Sequence, residues 1–193
     1  MWAFTGFLLS LRPLGDSPSD TDLVEAVRHH DRQAFRALFD RYHPALYRFL
    51  VRMGLADNVV EDILQDVFVG VWSGRARLDP RRSIRAYLYR ACKNRAANHF
   101  RRSARFTDDL LAEPASDAPD QHERLEYELL HRRLEEAVSL LPERRRAVFE
   151  LCFVNGLTYK EAAQVLEISP KTVENQMGHA LKSIREFVTS YLE

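Results

Sequence analysis

Residues 156–187 read GLTYKEAAQVLEISPKTVENQMGHALKSIREF, and this stretch decides the fold of the C-terminal part of the chain. Gly156 is the residue type that most often ends a helix, because it adopts a left-handed backbone without strain. Thr158 and Glu161 follow with the spacing of a capping box, in which each side chain satisfies a free backbone N–H of a new helix. The stretch therefore predicts a helix over about 158–167.

A three-residue turn, 167–169, separates this helix from a second one. Pro170 is favoured at the first position of a helix, where its missing N–H costs nothing, and Ser169 is a good N-cap. The second helix is predicted over about 170–192. Two short helices joined by so tight a turn indicate a helix-turn-helix.

The second helix has an apolar face and a polar face. The apolar face is predicted from helical spacing to comprise Val173, Met177, Ala180, Leu181 and Ile184. On the other face, amides can pair with adenine, a carboxylate can accept from cytosine, and lysines can reach phosphates. The candidate DNA-binding residues there are Lys171, Thr172, Glu174, Asn175, Gln176, His179 and Lys182.

Helical periodicity also runs through residues 20–103, and the low glycine content, 7 in 193 residues, agrees with an all-α fold. Pro44 is expected to restart or kink the second of these helices. Asp20 or Thr21 is expected to cap the first helix, and Asp57 or Asn58 the third. The second helix is expected to follow from Asp31, and the fourth to begin at Ser83.

Charge is strongly segregated along the chain, although 28 basic and 28 acidic residues cancel overall. Residues 81–106 contain nine Arg or Lys and no acidic residue, whereas residues 107–137 contain ten acidic and three basic residues. A phosphate backbone interacts with the local charge of the surface that it contacts rather than with the net charge of the whole chain. The neutral pI therefore does not argue against nucleic-acid binding.

The basic helix that begins at Ser83 interleaves aromatic, amide and basic side chains, which suits the binding of unpaired bases. An ordinary solvated basic face is the alternative. The buried stripe predicted for this helix comprises Ile84, Leu88, Ala91, Cys92 and Phe100. Its candidate nucleic-acid-binding residues are Arg85, Tyr89, Arg90, Lys93, Asn94, Asn98 and Arg101.

The preceding helix, DILQDVFVGVW at 62–72, carries a different surface. Spacings of three and four place two carboxylates, an amide and a valine on one side, namely Asp62, Gln65, Asp66 and Val69. Such a face suits a basic protein partner, and a plain solvated face is the alternative. The opposite, apolar side is Ile63, Val67, Phe68 and Val71.

Other function classes lack support in the sequence. The apolar N-terminal stretch is interrupted by Arg12 and Pro13 and is too short to span a bilayer. Cys92 and Cys152 have no CxxC spacing, so we expect no disulfide framework and no metal site, and a cytoplasmic protein is the default. No phosphate-binding loop, GxSxG or HExxH motif is present, so we expect no enzyme and no cofactor.

Both halves of the chain resemble one family. The motifs follow one another along the chain as DILQDVFVGVW, then AYLYRACKNRAANHFRR, then a polar stretch, and finally LPERRRAVFELCFVNGLTYKEAAQVLEISPKTVENQMGHALKSIRE. Two independent motif sets in this order resemble bacterial sigma factors of the sigma-70 family, in the extracytoplasmic-function (ECF) subgroup that has only regions 2 and 4.

The resemblance implies an all-α protein of two small helical domains joined by a flexible linker. Residues 20–104 would be region 2, 105–122 an acidic linker, and 123–193 region 4. Residues 1–19 match nothing in the family pattern and are predicted from their own sequence to be a disordered leader.

The resemblance also implies partners for each surface. Asp62, Gln65, Asp66, Phe68 and Val69 would dock on the clamp helices of the RNA polymerase β′ subunit. The loop 75–84 and the basic helix bearing Asn94 would capture flipped bases of the melted −10 element. The helix from Pro170 would enter the major groove of the −35 element, while region 4 rests on the β flap. The implied partners are core RNA polymerase, promoter DNA and an anti-sigma factor.

A LuxR-like helix-turn-helix regulator is the alternative. Such a protein would bind duplex DNA without polymerase.

Overall fold

The computed structural model describes residues 18–103 and 132–189, and every regular element in these ranges is helical, as predicted. We call 18–103 the N-terminal bundle and 132–189 the C-terminal bundle. The helices of the N-terminal bundle are α1 (Asp20–Arg28), α2 (Arg32–Arg52), α3 (Asp57–Ser73) and α4 (Ile84–Ser103), with a 3₁₀ turn at Arg75–Arg77. Those of the C-terminal bundle are α5 (132–139), α6 (Glu143–Phe149), α7 (Tyr159–Leu166) and α8 (Pro170–Thr189).

Side-chain caps fix where the first helices begin. Ser19 and Asp22 form a capping box, so α1 is capped one residue earlier than expected. α2 follows from Asp31 as predicted, and the Asp31 carboxylate caps it by accepting from the backbone N–H groups of Gln33 and Ala34 at 2.7 and 3.1 Å. The cap expected for α3 at Asp57 or Asn58 was wrong, because Ala56 is the N-cap and Asp57 is already helical. Pro44 does not restart α2, because the helix runs unbroken from Arg32 to Arg52, and the alternative expectation of a kink at Pro44 stays a prediction.

The core of the N-terminal bundle is apolar and joins all four helices. Leu38, Leu46, Leu64 and Leu88 are almost completely buried. Full burial of such a side chain contributes about 1.5–3 kcal/mol. The predicted apolar side of α3 is confirmed, because Ile63, Val67, Phe68 and Val71 are all buried.

Helix α4 begins as predicted, with one difference in its packing. The Ser83 hydroxyl accepts from the Ala86 backbone N–H at 3.1 Å, which caps the helix. Ile84, Leu88 and Cys92 are buried as expected. Phe100 is 40% exposed, so its assignment to the buried stripe was wrong. It lies in the last turn of the helix.

The helix-turn-helix is confirmed in the C-terminal bundle. Gly156 has a φ of +65°, and Thr158 and Glu161 form the predicted capping box of α7. The turn begins at Glu167, which adopts the left-handed conformation with a φ of +59°. The Ser169 hydroxyl accepts from the Thr172 backbone N–H at 3.0 Å and so caps α8.

Pro142 is the N-cap of α6, and the helix continues as a π-helical segment, Glu150–Val154. One detail of this bundle differs from expectation. Leu181 is 45% exposed, whereas the other members of the predicted apolar face of α8 are buried. The buried stripe of α8 is therefore narrower than the periodicity indicated.

Some sequence expectations concern segments outside the described residues. They are most of the leader (1–17), the acidic linker (105–122), the first residues of region 4 (123–131), and the last four residues, 190–193. Among the residues that are described, no helix has the length and apolar character needed to cross a membrane.

Replacing Thr158 by alanine is expected to lower the free energy of unfolding by about 1 kcal/mol, because it removes the side-chain cap of α7. Thr158→Ser is the matched control, since serine retains the hydroxyl that Glu161 binds. Urea unfolding of the three proteins, followed by circular dichroism, measures the difference. Equal unfolding midpoints for the alanine and serine variants would contradict the prediction.

Candidate functional site

The polar face of α3 is exposed, as predicted. Asp62, Gln65 and Asp66 are exposed, and Val69 presents 57% of its surface to solvent. Asp66 is held by Arg95 of α4, whose Nη1 lies 2.7 Å from the carboxylate. This face therefore combines carboxylates with an exposed valine.

An apolar groove lies beside this face, between α2 and α3. Its volume is about 470 Å³, and its wall includes Phe35, Phe39, Leu64, Val69 and Trp72. The aromatic rings pack against one another, with Phe35 and Trp72 centroids 5.1 Å apart. The groove offers a place for an apolar side chain of a partner next to the carboxylates.

Phe68 lines this groove rather than standing on the surface. It is only 3% exposed, and its ring lies 4.7 Å from that of Phe39 and edge-on to Phe35 at 6.3 Å. The assignment of Phe68 as a surface contact is therefore limited to the part of its ring that faces the groove. Its main role in this structure is to pack the core.

The candidate residues of α4 divide into exposed and covered positions. Tyr89 was expected on the exposed side, but it is 1% exposed, so this expectation was wrong. Its ring packs on Phe49, and its hydroxyl lies 3.3 Å from the Asn155 side-chain oxygen. Burial also raises the pKa of Tyr89. Arg85 and Lys93 are partly buried, and the exposed members of the set are Arg90, Asn94, Asn98 and Arg101.

Arg85, Arg90 and Lys93 of α4 contact the C-terminal bundle, although Arg90 is exposed. Arg90 Nη2 lies 2.6 Å from a carboxylate oxygen of Glu167, and Lys93 Nζ lies 3.3 Å from the Val165 carbonyl oxygen. Arg85 donates to the Asn155 carbonyl oxygen. Each donor comes from the basic helix, and each acceptor comes from α7 or the segment before and after it.

Glu161 belongs to the same contact. The Ser83 hydroxyl donates to its carboxylate at 2.7 Å, and Thr158 donates to its other oxygen. Burial alone would raise the pKa of Glu161, but the hydrogen bonds from Ser83 and Thr158 outweigh it and lower the pKa below its ordinary value. The carboxylate is therefore held in its charged form beside the start of the basic helix.

The outer face of α8 is available as predicted. Lys171, Thr172, Glu174, Asn175, His179 and Lys182 are exposed, and Gln176 is half-buried. Lys171 forms an ion pair with Glu174 at 3.0 Å, which offsets part of its positive charge. Asn175 makes no hydrogen bond to another described residue, so its amide is available to a base edge.

Sequence reasoning missed two features of this site. Tyr87 of α4 is 47% exposed and offers the accessible ring that Tyr89 lacks; its place on the helix, two residues before Tyr89, was the available signal. The contact between α4 and α7 was also missed, because no local pattern reports contacts across more than 70 residues. Within 18–103 and 132–189, no cluster of His, Cys, Asp or Glu is arranged to hold a metal ion.

Two family models match the chain, one for each bundle. The model described as Sigma-70 region 2 matches residues 38–106, and the model described as Sigma-70, region 4 matches residues 131–184. An ECF RNA polymerase sigma factor, RpoE of Cereibacter sphaeroides, is 31% identical over 170 residues, which cover 86% of this chain and 93% of the relative. The chain belongs to the ECF group of the sigma-70 family.

Further relatives of this sigma factor support the same family. RNA polymerase sigma factor CnrH of Cupriavidus metallidurans is 30% identical over 176 residues, 85% of this chain and 92% of the relative. A solved structure of CnrH in complex with the cytosolic domain of CnrY has a TM-score of 0.62 and 27% identity, covering 89% of this chain and 97% of that one. The sigma factor RpoE of Bartonella quintana, solved with the anti-sigma factor NepR, also has a TM-score of 0.62 over 80% of this chain and 96% of that one; at 20% identity it supports the fold.

The function predicted from the sequence is thereby confirmed. The chain is a sigma factor, which binds core RNA polymerase and directs it to promoters. The LuxR-like alternative gains no support from these relatives, since they match the chain across both bundles.

Proposed function

We propose that this sigma factor divides its work among three surfaces, with residues 20–104 as region 2, 105–122 as the linker and 123–193 as region 4. The α3 face binds core polymerase, α4 holds the melted −10 strand, and α8 reads the −35 duplex. The protein performs no catalysis of its own and works in the cytoplasm beside the polymerase. The observation that carries the proposal is the exposed row on α3 next to an apolar groove.

The α3 face suits a basic, partly apolar helix of the polymerase. Asp62 and Asp66 supply charge that steers the encounter, and Val69 with the groove supplies apolar area at its centre. Central apolar contacts usually carry most of the binding energy of an interface. The β′ clamp helices are the proposed partner.

Helix α4 supports strand separation by holding bases rather than by enzymatic unwinding. Its six basic residues attract the backbone, and the exposed rings of Tyr87 and Phe100 supply surfaces for stacking. Stacking contributes about 1–3 kcal/mol per base, which helps to offset the cost of unpairing. Asn94, Asn98 and Arg101 lie on the part of α4 that the C-terminal bundle leaves open.

Helix α8 is proposed to read the −35 element, with region 4 also resting on the β flap. The outer face carries few net positive charges, because Lys171 and Lys182 each lie beside a glutamate. We therefore expect weak binding to duplex DNA by the free protein. Polymerase holds both bundles on one promoter, and the resulting effective concentration raises affinity without new contacts.

An anti-sigma factor is a further proposed partner. The RpoE structure from Bartonella quintana contains the anti-sigma factor NepR, which binds that sigma factor. The apolar groove and the α3 face are the surfaces of this chain whose occupation would prevent polymerase binding. Co-purification of the tagged chain from its native cells would identify such a partner.

Transcription in vitro tests the proposed function. The purified chain, core polymerase and a library of promoter fragments are expected to give specific start sites that neither protein gives alone. Specific binding to a duplex by the free chain, with no stimulation of core polymerase, would favour a LuxR-like regulator and overturn the proposal.

Asn94→Ala is expected to reduce open-complex formation about fivefold to tenfold, by removing one amide that contacts an extruded base. Affinity for core polymerase should not change, because Asn94 lies on α4 and not on the α3 face. Permanganate reactivity of unpaired thymines measures opening, and Gln33→Ala, an exposed amide on α2, is the matched control. An equal loss of opening and of polymerase binding would contradict this role.

A further inference from the structure

The apolar groove between α2 and α3 is open to solvent at its edge. Its volume of about 470 Å³ lies within the range of about 300–1,000 Å³ that binding sites for largely apolar ligands occupy. Phe35, Phe39 and Trp72 line it, and Val69 at its edge is 57% exposed. Covering such a surface with apolar side chains is favourable because it removes apolar area from water. The groove therefore favours an occupant with a row of large apolar side chains.

The sequence that precedes the N-terminal bundle contains such a row. Residues 1–11 read MWAFTGFLLSL, and we call them the apolar leader segment. Large apolar residues stand there at positions i, i+3, i+4 and i+7, namely Phe4, Phe7, Leu8 and Leu11. This spacing is the one with which an amphipathic segment binds an apolar groove as a helix. Pro13 follows two residues later and ends the pattern.

The charge beside the apolar leader segment is opposite to the charge beside the groove. Residues 1–15 contain Arg12 and no acidic residue. The α3 side of the groove carries three exposed carboxylates, those of Glu61, Asp62 and Asp66. Opposite charges favour the encounter of two surfaces and fix their orientation. The leader thus has the two properties, an apolar row and a positive charge, that the α3 face is proposed to bind in polymerase.

The described chain begins at a fixed point on α2, within reach of the groove. Arg41 Nη2 of this helix donates to the Pro18 carbonyl oxygen at 2.7 Å. Phe39 and His43, two residues before and two residues after Arg41, line the groove, so the groove lies about halfway round the helix from Arg41. Half the circumference of a helix about 10–12 Å wide is about 17 Å, whereas residues 12–17 span up to about 20 Å when extended.

We propose that the apolar leader segment binds the groove of its own chain and competes there with core polymerase. This inference rests on the proposed role of the groove in polymerase binding. The short tether of residues 12–17 gives the segment an effective concentration of about 1 mM. An intrinsic dissociation constant of only about 0.1–0.5 mM then lowers the apparent affinity of polymerase by about threefold to tenfold. We call this bound state the leader contact.

The tether favours the groove of the same chain over that of a second copy. In a solution at micromolar concentration, another chain offers its leader at a concentration about a thousandfold lower than the effective concentration of the tethered segment. Ordering of the segment is coupled to its binding, which keeps the intrinsic affinity low. The leader contact therefore removes apolar side chains from water in the free chain and yields to the larger interface with polymerase.

Photocrosslinking in the full chain tests where the segment lies. Benzoylphenylalanine replaces Val69 at the edge of the groove, and it replaces Val51 in the matched control, because Val51 is also exposed but does not line the groove. After irradiation and proteolysis, mass spectrometry is expected to find crosslinks from position 69 to residues 1–11 of the same chain and none from position 51. No crosslink from position 69 to the leader, or crosslinks only between two chains, would overturn the leader contact.

The double variant F7Q/L8Q tests the competition. It replaces two apolar residues of the row by neutral amides, and the matched control, T5Q/S10Q, makes the same replacement at two positions outside the row. F7Q/L8Q is expected to lose the crosslink from position 69 and to bind core polymerase threefold to tenfold more tightly than T5Q/S10Q. Equal affinities of the two variants for core polymerase would overturn the competition.

A membrane surface is the other destination that an apolar leader suggests, and vesicles of phosphatidylglycerol test it. Sedimentation of wild type but not of F7Q/L8Q with the vesicles, with no crosslink from position 69, would assign the leader to the membrane and overturn the leader contact. Transcription by wild type with core polymerase is measured separately. Because crosslinking reports the leader contact without polymerase, its failure is distinguishable from a failure of the proposed function.

Discussion

Val69→Glu is expected to lower the affinity of the sigma factor for core RNA polymerase by about 100-fold. Val69 presents 57% of its surface at the edge of the apolar groove. Glutamate removes that apolar area and places a carboxylate where a partner would exclude water. Burying such a charge without a partner costs several kcal/mol. A pull-down with core polymerase, titrated in concentration, measures the loss.

The fold should survive this change, because the side chain points to solvent and glutamate is a good helix former. Val51→Glu is the matched control, since Val51 is also an exposed valine of the N-terminal bundle, at 39%, and does not line the groove. Circular dichroism checks that both variants are folded. If Val69→Glu bound core polymerase as tightly as Val51→Glu, the α3 face would lose its proposed role.

Asn175→Ala is expected to reduce transcription from a promoter that depends on its −35 element by about tenfold to 100-fold. A bidentate amide–adenine pair contributes about 1–3 kcal/mol of discrimination. Asn175 is exposed in the second turn of α8, where the N-terminal part of a recognition helix meets base edges. Multiple-round transcription on promoters with single −35 substitutions measures both rate and specificity.

The control for this variant is Gln164→Ala, which removes an exposed amide from α7 instead of α8. Core polymerase binding should be unchanged in both proteins. A promoter substituted at the contacted base pair should be transcribed equally by wild type and Asn175→Ala. A uniform loss over all −35 variants would show that Asn175 supports affinity without reading sequence.

Local patterns predicted the helices and the helix-turn-helix because the causes are local. The capping box of Thr158 and Glu161, the cap at Asp31 and the buried side of α3 each depend on residues a few positions apart. The same patterns failed for Tyr89. A tyrosine within a basic helix is expected to be exposed, but Tyr89 is covered by Phe49 of α2 and by Asn155 of the C-terminal bundle.

For a related reason, the exposure of the candidate surfaces was predicted correctly for α3 and α8 but not for all of α4. The face of α3 and that of α8 follow from helical spacing within one element, and the structure leaves both exposed. The occupied state of α4 could not be predicted, because it depends on where the C-terminal bundle lies. From the sequence, Glu161 could be assigned only to a capping box, and Glu167 only to a turn.

The ion pair between Asp66 and Arg95 joins the α3 face to α4. A cationic side chain of the polymerase that approaches Asp66 must share this carboxylate with Arg95 or displace the guanidinium. Displacement would leave Arg95 uncompensated on α4, the helix proposed to bind DNA, when the complex forms. If both proposed roles hold, binding to the polymerase and attraction for the DNA strand would be coupled through the Asp66 carboxylate.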